Sequence, residues 1–145
     1  MSRVLQRADI EALLPHKGSA CWLDSAEVQI ERIVCRAAVT DAHPLREAGG
    51  VPAVYAIEYG AQAAALHRLA TAPAGAVTGG RLLQARDVAF DVAWLDRVPQ
   101  PLQIVADCAA ASSELARYSF RITTAQQPEQ SVASGTLTLM LGGLR

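Results

Sequence analysis

A chain of 145 residues that is 51% hydrophobic and 19% charged has enough apolar side chain for a core of its own and does not belong with disordered segments. Its formal net charge of -1, with no basic run, lacks the electrostatic footprint of a nucleic-acid binder. No apolar run reaches the roughly 18 residues that cross a bilayer, and the stretch from Met1 to Asp9 holds no apolar signal core.

Cys21, Cys35 and Cys108 are odd in number and far apart, with no CxxC pair. They read as small buried hydrophobes rather than nucleophiles or ligands. The three histidines show no metal-ligand spacing, so no metal is expected. The expectation is one domain over residues 1–145, in a reducing cytoplasm.

In chain order, Asp9 to Leu14 predicts a short helix stopped by Pro15. Ser19 to Ile30 and Ile33 to Thr40 predict two strands joined near Glu31-Arg32. Asp41 to Gly50 is loop, marked by Pro44 and Gly49-Gly50. Pro52 opens a helix that runs to about Thr71, rich in alanine and apolar on nearly every face, which is the pattern of a buried helix. Four strands follow: Arg81 to Ala89, Leu102 to Ala110, Leu115 to Thr124 and Val132 to Leu141. This order predicts an α+β fold in which a curved antiparallel sheet of about six strands wraps one long central helix.

One segment carries chemistry. It sets His43 in a loop beside Pro44 and, fifteen residues on, a lone carboxylate, Glu58, in the apolar helix. A buried carboxylate is costly unless it is paired or has a task. Read alone, His43 is as well explained by a solvated turn, and Glu58 by a structural carboxylate.

The local sequences then resemble a known family. Leu14-Pro15-His16-Lys17 followed by Cys21-Trp22-Leu23-Asp24 is similar to the LPHR…LLVD opening of FabZ-type 3-hydroxyacyl-ACP dehydratases, which have the hotdog fold. His43-Pro44-Leu45, Gly50, Pro52-Ala53, Glu58-Tyr59 and Ala61-Gln62 resemble the HPL…G…PA…EYxAQ pattern of the ApeP-like branch of aryl-polyene-type clusters. The chain departs from FabZ-type enzymes in having Ala53 where those have glycine, and in a slightly longer loop before Pro52.

The resemblance implies dehydration of a 3-hydroxyacyl thioester to the trans-2-enoyl thioester, in fatty-acid or polyketide synthesis. His43 is expected to remove the C2 proton, since neutral imidazole suits that task. Glu58 is expected to serve the C3 hydroxyl, with burial favouring its protonated form. The N–H groups at the helix start, that of Ala53 beside Pro52 above all, are expected to face the thioester oxygen. Gln62, one turn beyond Glu58, either orients it or supports it from behind or at an interface; Tyr59 lines an acyl tunnel or the core. His16 is read as structural, His67 as lying near the solvent end of the helix.

The resemblance also implies a dimer, homodimeric or with a related hotdog protein, whose sites each mix His43 of one chain with Glu58 of the other. The acyl chain is expected on the phosphopantetheine of an acyl carrier protein, steered by Arg46, Arg81 and Arg86. Elimination involves no redox step, so no cofactor is expected. Two alternatives stay open: a hotdog thioesterase that uses Glu58 to activate water, and a non-catalytic partner of a related dehydratase.

Overall fold

The computed structural model describes residues 2–73, 75–77 and 79–142. The elements in chain order are β1 (Arg3–Gln6), α1 (Arg7–Leu13), β2 (Ser25–Val28), β3 (Arg32–Ala37), α2 (Ala56–Thr71), β4 (Gly80–Phe90), β5 (Leu102–Ala111), β6 (Leu115–Thr124) and β7 (Ser131–Leu141). The strands form one sheet in the order β1-β2-β3-β5-β6-β7-β4, every pair antiparallel. Helix α2 therefore leaves the chain at β3 and returns it at the far edge, in β4.

The sheet wraps α2 because both present the surface the other needs. In β5, Leu102, Ile104 and Ala106 are buried; in β6, Ala116, Tyr118, Phe120 and Ile122 are buried. This is the period of two that sends alternate side chains to one face. Helix α2 buries Ala56 and every residue from Tyr59 to His67, as expected of a helix with no polar face. Its small side chains permit close approach: a Cβ on Gly60 would lie 2.8 Å from the Phe120 ring. Register shifts in β4–β7, β5–β6 and β6–β7 bend the sheet around the helix.

Several boundaries differ from the sequence expectations. β1 was not expected, because only Leu5 of its four residues is buried and no alternation shows. The strand expected from Ser19 is confined to Ser25–Val28; Gly18–Ala20 is instead a 3-10 turn. Helix α2 begins at Ala56, after a 3-10 turn over Ala53–Tyr55. No helix among the described residues is long and apolar enough to cross a membrane.

At the edge, β4 runs for 11 residues with most side chains exposed, among them Leu82, Leu83 and Phe90. Its outer row of N–H and C=O groups has no strand partner among the described residues. At the other end of α2, His67 is fully buried, which corrects the expectation that it lies near solvent. Its Nε2 donates to the Gln29 carbonyl (2.9 Å) and its Nδ1 accepts from the Tyr118 hydroxyl (2.5 Å). That burial lowers the His67 pKa.

Candidate active site

His43 sits in the loop between β3 and α2. A tight turn presents it: its N–H donates to Thr40 O (3.1 Å) and its carbonyl accepts from Arg46 N–H (3.1 Å). The N–H of Leu45 donates to His43 Nδ1 (3.1 Å). With Nδ1 accepting, the neutral ring carries its proton on Nε2. Nε2 itself is buried and has no hydrogen-bond partner among the described residues. The ring packs on Trp22, centroids 4.4 Å apart. Burial lowers its pKa and keeps the imidazole neutral, against an opposing pull from Asp96.

The loop is braced from the turn after β4. Asp96 accepts from Val51 N–H (2.9 Å) and from Arg46 Nη1 (2.9 Å). Gly50 adopts φ +128°, and a Cβ there would lie 2.5 Å from Asp96 Oδ1. Arg46 also meets Asp41 at 3.4 Å, so this guanidinium, expected to steer a carrier, is already engaged inside the chain. Arg81 and Arg86 lie exposed on β4.

At the helix start, Ala53 is buried and its N–H donates to Ala93 O (3.0 Å). Pro52 bridges to Trp94 beside it. The expected oxyanion donor at Ala53 is therefore corrected: its hydrogen is already used to fasten the turn to the segment after β4.

Glu58, in the first turn of α2, is not buried as expected; its side chain is 37% exposed. Its Oε1 lies 3.4 Å from His16 Nε2, whose side chain is 28% exposed. Gln62 does not reach Glu58. It is 1% exposed; its Oε1 accepts from Trp22 N–H (3.0 Å) and its Nε2 donates to Ala20 O (2.9 Å). It thereby fastens the segment that carries Trp22 onto α2. Tyr59 is buried, its ring 5.0 Å from that of Trp22, and burial together with the negative Asp24 pushes its phenol up.

These side chains line two adjoining clefts. One, about 310 Å³, holds Trp22, Asp24, Thr40, His43, Pro44 and Tyr59. The other, about 260 Å³, holds His16, Ser19, Trp22, Pro44, Leu45 and Glu58. Ser19, Trp22 and Pro44 border both. One chain by itself thus leaves His43 and Glu58 in different clefts, with Trp22 part of both walls. Among the described residues, no cluster of three or more His, Cys, Asp or Glu side chains is placed to hold a metal ion.

The sequence profile of the ApeP-like family, described as ApeP dehydratase, matches residues 8–142. The chain belongs to the ApeP-like dehydratase family. Among solved structures, the ApeP-like chain resembles the dehydratase heterocomplex ApeI:P from Xenorhabdus doucetiae at 22% identity and TM-score 0.79, covering 92% of this chain and 91% of that one. It also resembles zebra fish thioesterase superfamily member 2 at 14% identity and TM-score 0.70, covering 95% and 99%. A Streptococcus mutans protein solved with acetyl CoA follows at 19% identity and TM-score 0.60, covering 81% and 86%. These likenesses establish the hotdog fold for the ApeP-like chain. No curated protein matches the sequence.

Two site elements were missed from the sequence. Trp22 entered only as part of the opening motif, yet it borders both clefts. His16 was read as structural, yet it pairs with Glu58 across the space between α1 and α2. Only contacts distant in sequence reveal either role; no local pattern carries it.

Proposed function

We propose that this chain converts a 3-hydroxyacyl thioester, held on the phosphopantetheine of an acyl carrier protein, to the trans-2-enoyl thioester. The process it serves is fatty-acid or polyketide synthesis of the aryl-polyene type, in the cytoplasm. The ApeP-like dehydratase match over nearly the whole chain carries this reading. Elimination needs one group to move a proton and another to steady the charge that develops on the thioester. Glu58 and His43 are the two side chains suited to those tasks. Each sits in an open cleft bordered by Trp22 and Pro44.

The separation of the two clefts favours a site completed by a second chain. The unpaired edge of β4, with Leu82, Leu83 and Phe90 exposed, favours assembly as well. The neighbour from Xenorhabdus doucetiae is a heterocomplex, which supports a related hotdog protein as the partner alongside a second copy of this chain.

A second reading rests on Glu58 itself. A solvated carboxylate beside His16 is also suited to activating water, as a thioesterase requires, and thioesterases share the fold. Mass spectrometry of a 3-hydroxyacyl-carrier thioester incubated with the purified protein separates the possibilities. Loss of one water, abolished in Glu58→Gln, is the expected outcome. Release of the free acid supports the thioesterase. An unchanged substrate, with and without a partner dehydratase, refutes both.

A further inference from the structure

We infer that Gln100 is a positioning residue for the reaction: its side-chain amide holds Val39, the point from which the His43 loop departs, and so sets where the imidazole stands. This rests on the dehydratase reading above for its rate measurement, and it holds whichever step of the elimination His43 performs.

The strand ladder stops short of the loop. In the register of β3 and β5, Ala37 is opposite Leu102, where the pairing ends. Two residues further along, Val39 comes opposite Gln100, whose own carbonyl is taken by Gln126 Nε2 (2.9 Å). The Gln100 side chain meets the Val39 N–H instead, its Oε1 accepting at 2.8 Å. The amide is used in full, since Nε2 donates to Leu95 O (2.9 Å) and to Val98 O (3.1 Å). These partners fix which end of the amide is oxygen. A flipped group would set its hydrogens against Val39 N–H and its oxygen against two carbonyls.

The anchor reaches the site in two steps. Val39 is buried, and the carbonyl of the next residue, Thr40, accepts from His43 N–H (3.1 Å). Ala38, Thr40, Ala42, His43 and Pro44 then form one wall of the His43 cleft. The far end of the loop is held from the same stretch: Leu95 N–H donates to Val51 O (2.8 Å) and Asp96 accepts from Val51 N–H (2.9 Å). One short segment, 95–100, thus clasps the loop at entry and exit. All of these bonds lie within one chain, so none of them depends on the second chain that completes the site. A reacting group displaced by about 1 Å can lose about 10²-fold in rate, which makes the entry anchor part of the machinery.

The test separates position from stability. Turnover of 3-hydroxybutyryl-pantetheine is measured on the assembled protein, and the His43 ring is titrated by NMR. Gln100→Leu should lower kcat about 10- to 100-fold with KM nearly unchanged, because the loss falls on alignment rather than on binding. Its His43 pKa, held down by burial in wild type, should rise toward about 6.5 as the ring is wetted, and the Asp96 charge pulls the same way. Tyr118→Phe, which loosens the opposite end of α2, should keep the kcat and the His43 titration of wild type. A folded Gln100→Leu with wild-type kcat and His43 titration overturns the inference, and so does an equal loss of kcat in Tyr118→Phe. If Gln100→Leu does not fold, hydrogen exchange in wild type decides. The Val39 amide should exchange as slowly as the paired amides of β3, and exchange faster by about 10²-fold or more overturns the inference. A wild-type assembly that leaves the thioester intact overturns the dehydratase reading instead; the titration and the exchange then still test the anchor.

Discussion

Gln62→Leu tests whether the wall between the two clefts is held from α2. The substitution keeps the side chain's bulk and removes both of its bonds. Trp22 N–H and Ala20 C=O each lose a partner at a partly buried site. Each orphaned group costs about 1–3 kcal/mol, and at the lower half of that range the pair costs about 3 kcal/mol. Burying a more apolar side chain returns about 1 kcal/mol, leaving a net loss of about 2 kcal/mol. With an unfolding entropy near 2.1 cal/mol/K per residue, a chain of this length loses about 7 °C of Tm. Thermal denaturation at fixed protein concentration measures it, since assembly would otherwise shift the midpoint. Trp22 emission, read in a Trp94→Phe background, should change with it, because the chain holds only these two tryptophans. Dehydration should fall too, as His43 packs on the loosened ring. Gln62→Glu divides the effect, keeping the acceptor for Trp22 and losing the donor to Ala20. A Tm within about 2 °C of wild type, with unchanged emission, would refute the claim that Gln62 holds this wall.

His67 should make stability depend on pH. Burial holds its folded pKa below the unfolded value of about 6.5, so the unfolded chain takes up a proton that the native state resists. This contribution is fully present above about pH 6.5 and is lost as pH falls toward the folded pKa. Urea midpoints between neutral pH and about pH 5 should fall more steeply in wild type than in His67→Gln; parallel curves would show that the ring titrates freely. Tyr118→Phe should leave His67 Nδ1 without its donor and cost about 1–3 kcal/mol in the same urea measurement, at neutral pH. Asp96→Ala should cost about 1–3 kcal/mol by orphaning Val51 N–H and freeing Arg46. Gly50→Ala should cost a similar amount, about 1–3 kcal/mol, through its φ and the Asp96 carboxylate it displaces. Because both act on one contact, the double variant should cost less than the sum, which equilibrium unfolding of all four forms measures.

The long helix and six of the seven strands were legible because their signals are local, although β2 is shorter than expected. Alanines and leucines on every face of residues 56–71 can only be buried, and alternation in β5 and β6 marks the face that buries them. β1 was not legible, since four residues with one buried side chain carry no period. The site was legible as residue types and spacing, but not as atoms. Sequence places His43 in a loop; it does not say that Leu45 N–H will reach Nδ1 and set the tautomer. It places Ala53 at a helix start; it does not say that Ala93 O will claim its hydrogen. It sets Gln62 one turn beyond Glu58; the carbonyl and amide of residues 20 and 22, forty positions away, decide where that side chain goes.

Trp22 borders both clefts, and this has a consequence for inheritance. In an assembly that joins the His43 cleft of one chain to the Glu58 cleft of another, each polypeptide lends opposite halves to two reaction centres. Two different chains need only one complete centre between them. One can then lose its imidazole and the other its carboxylate without silencing the pair, provided that the losses fall on the same centre. Once that happens neither gene can replace the other, and a duplicated enzyme becomes a fixed partnership.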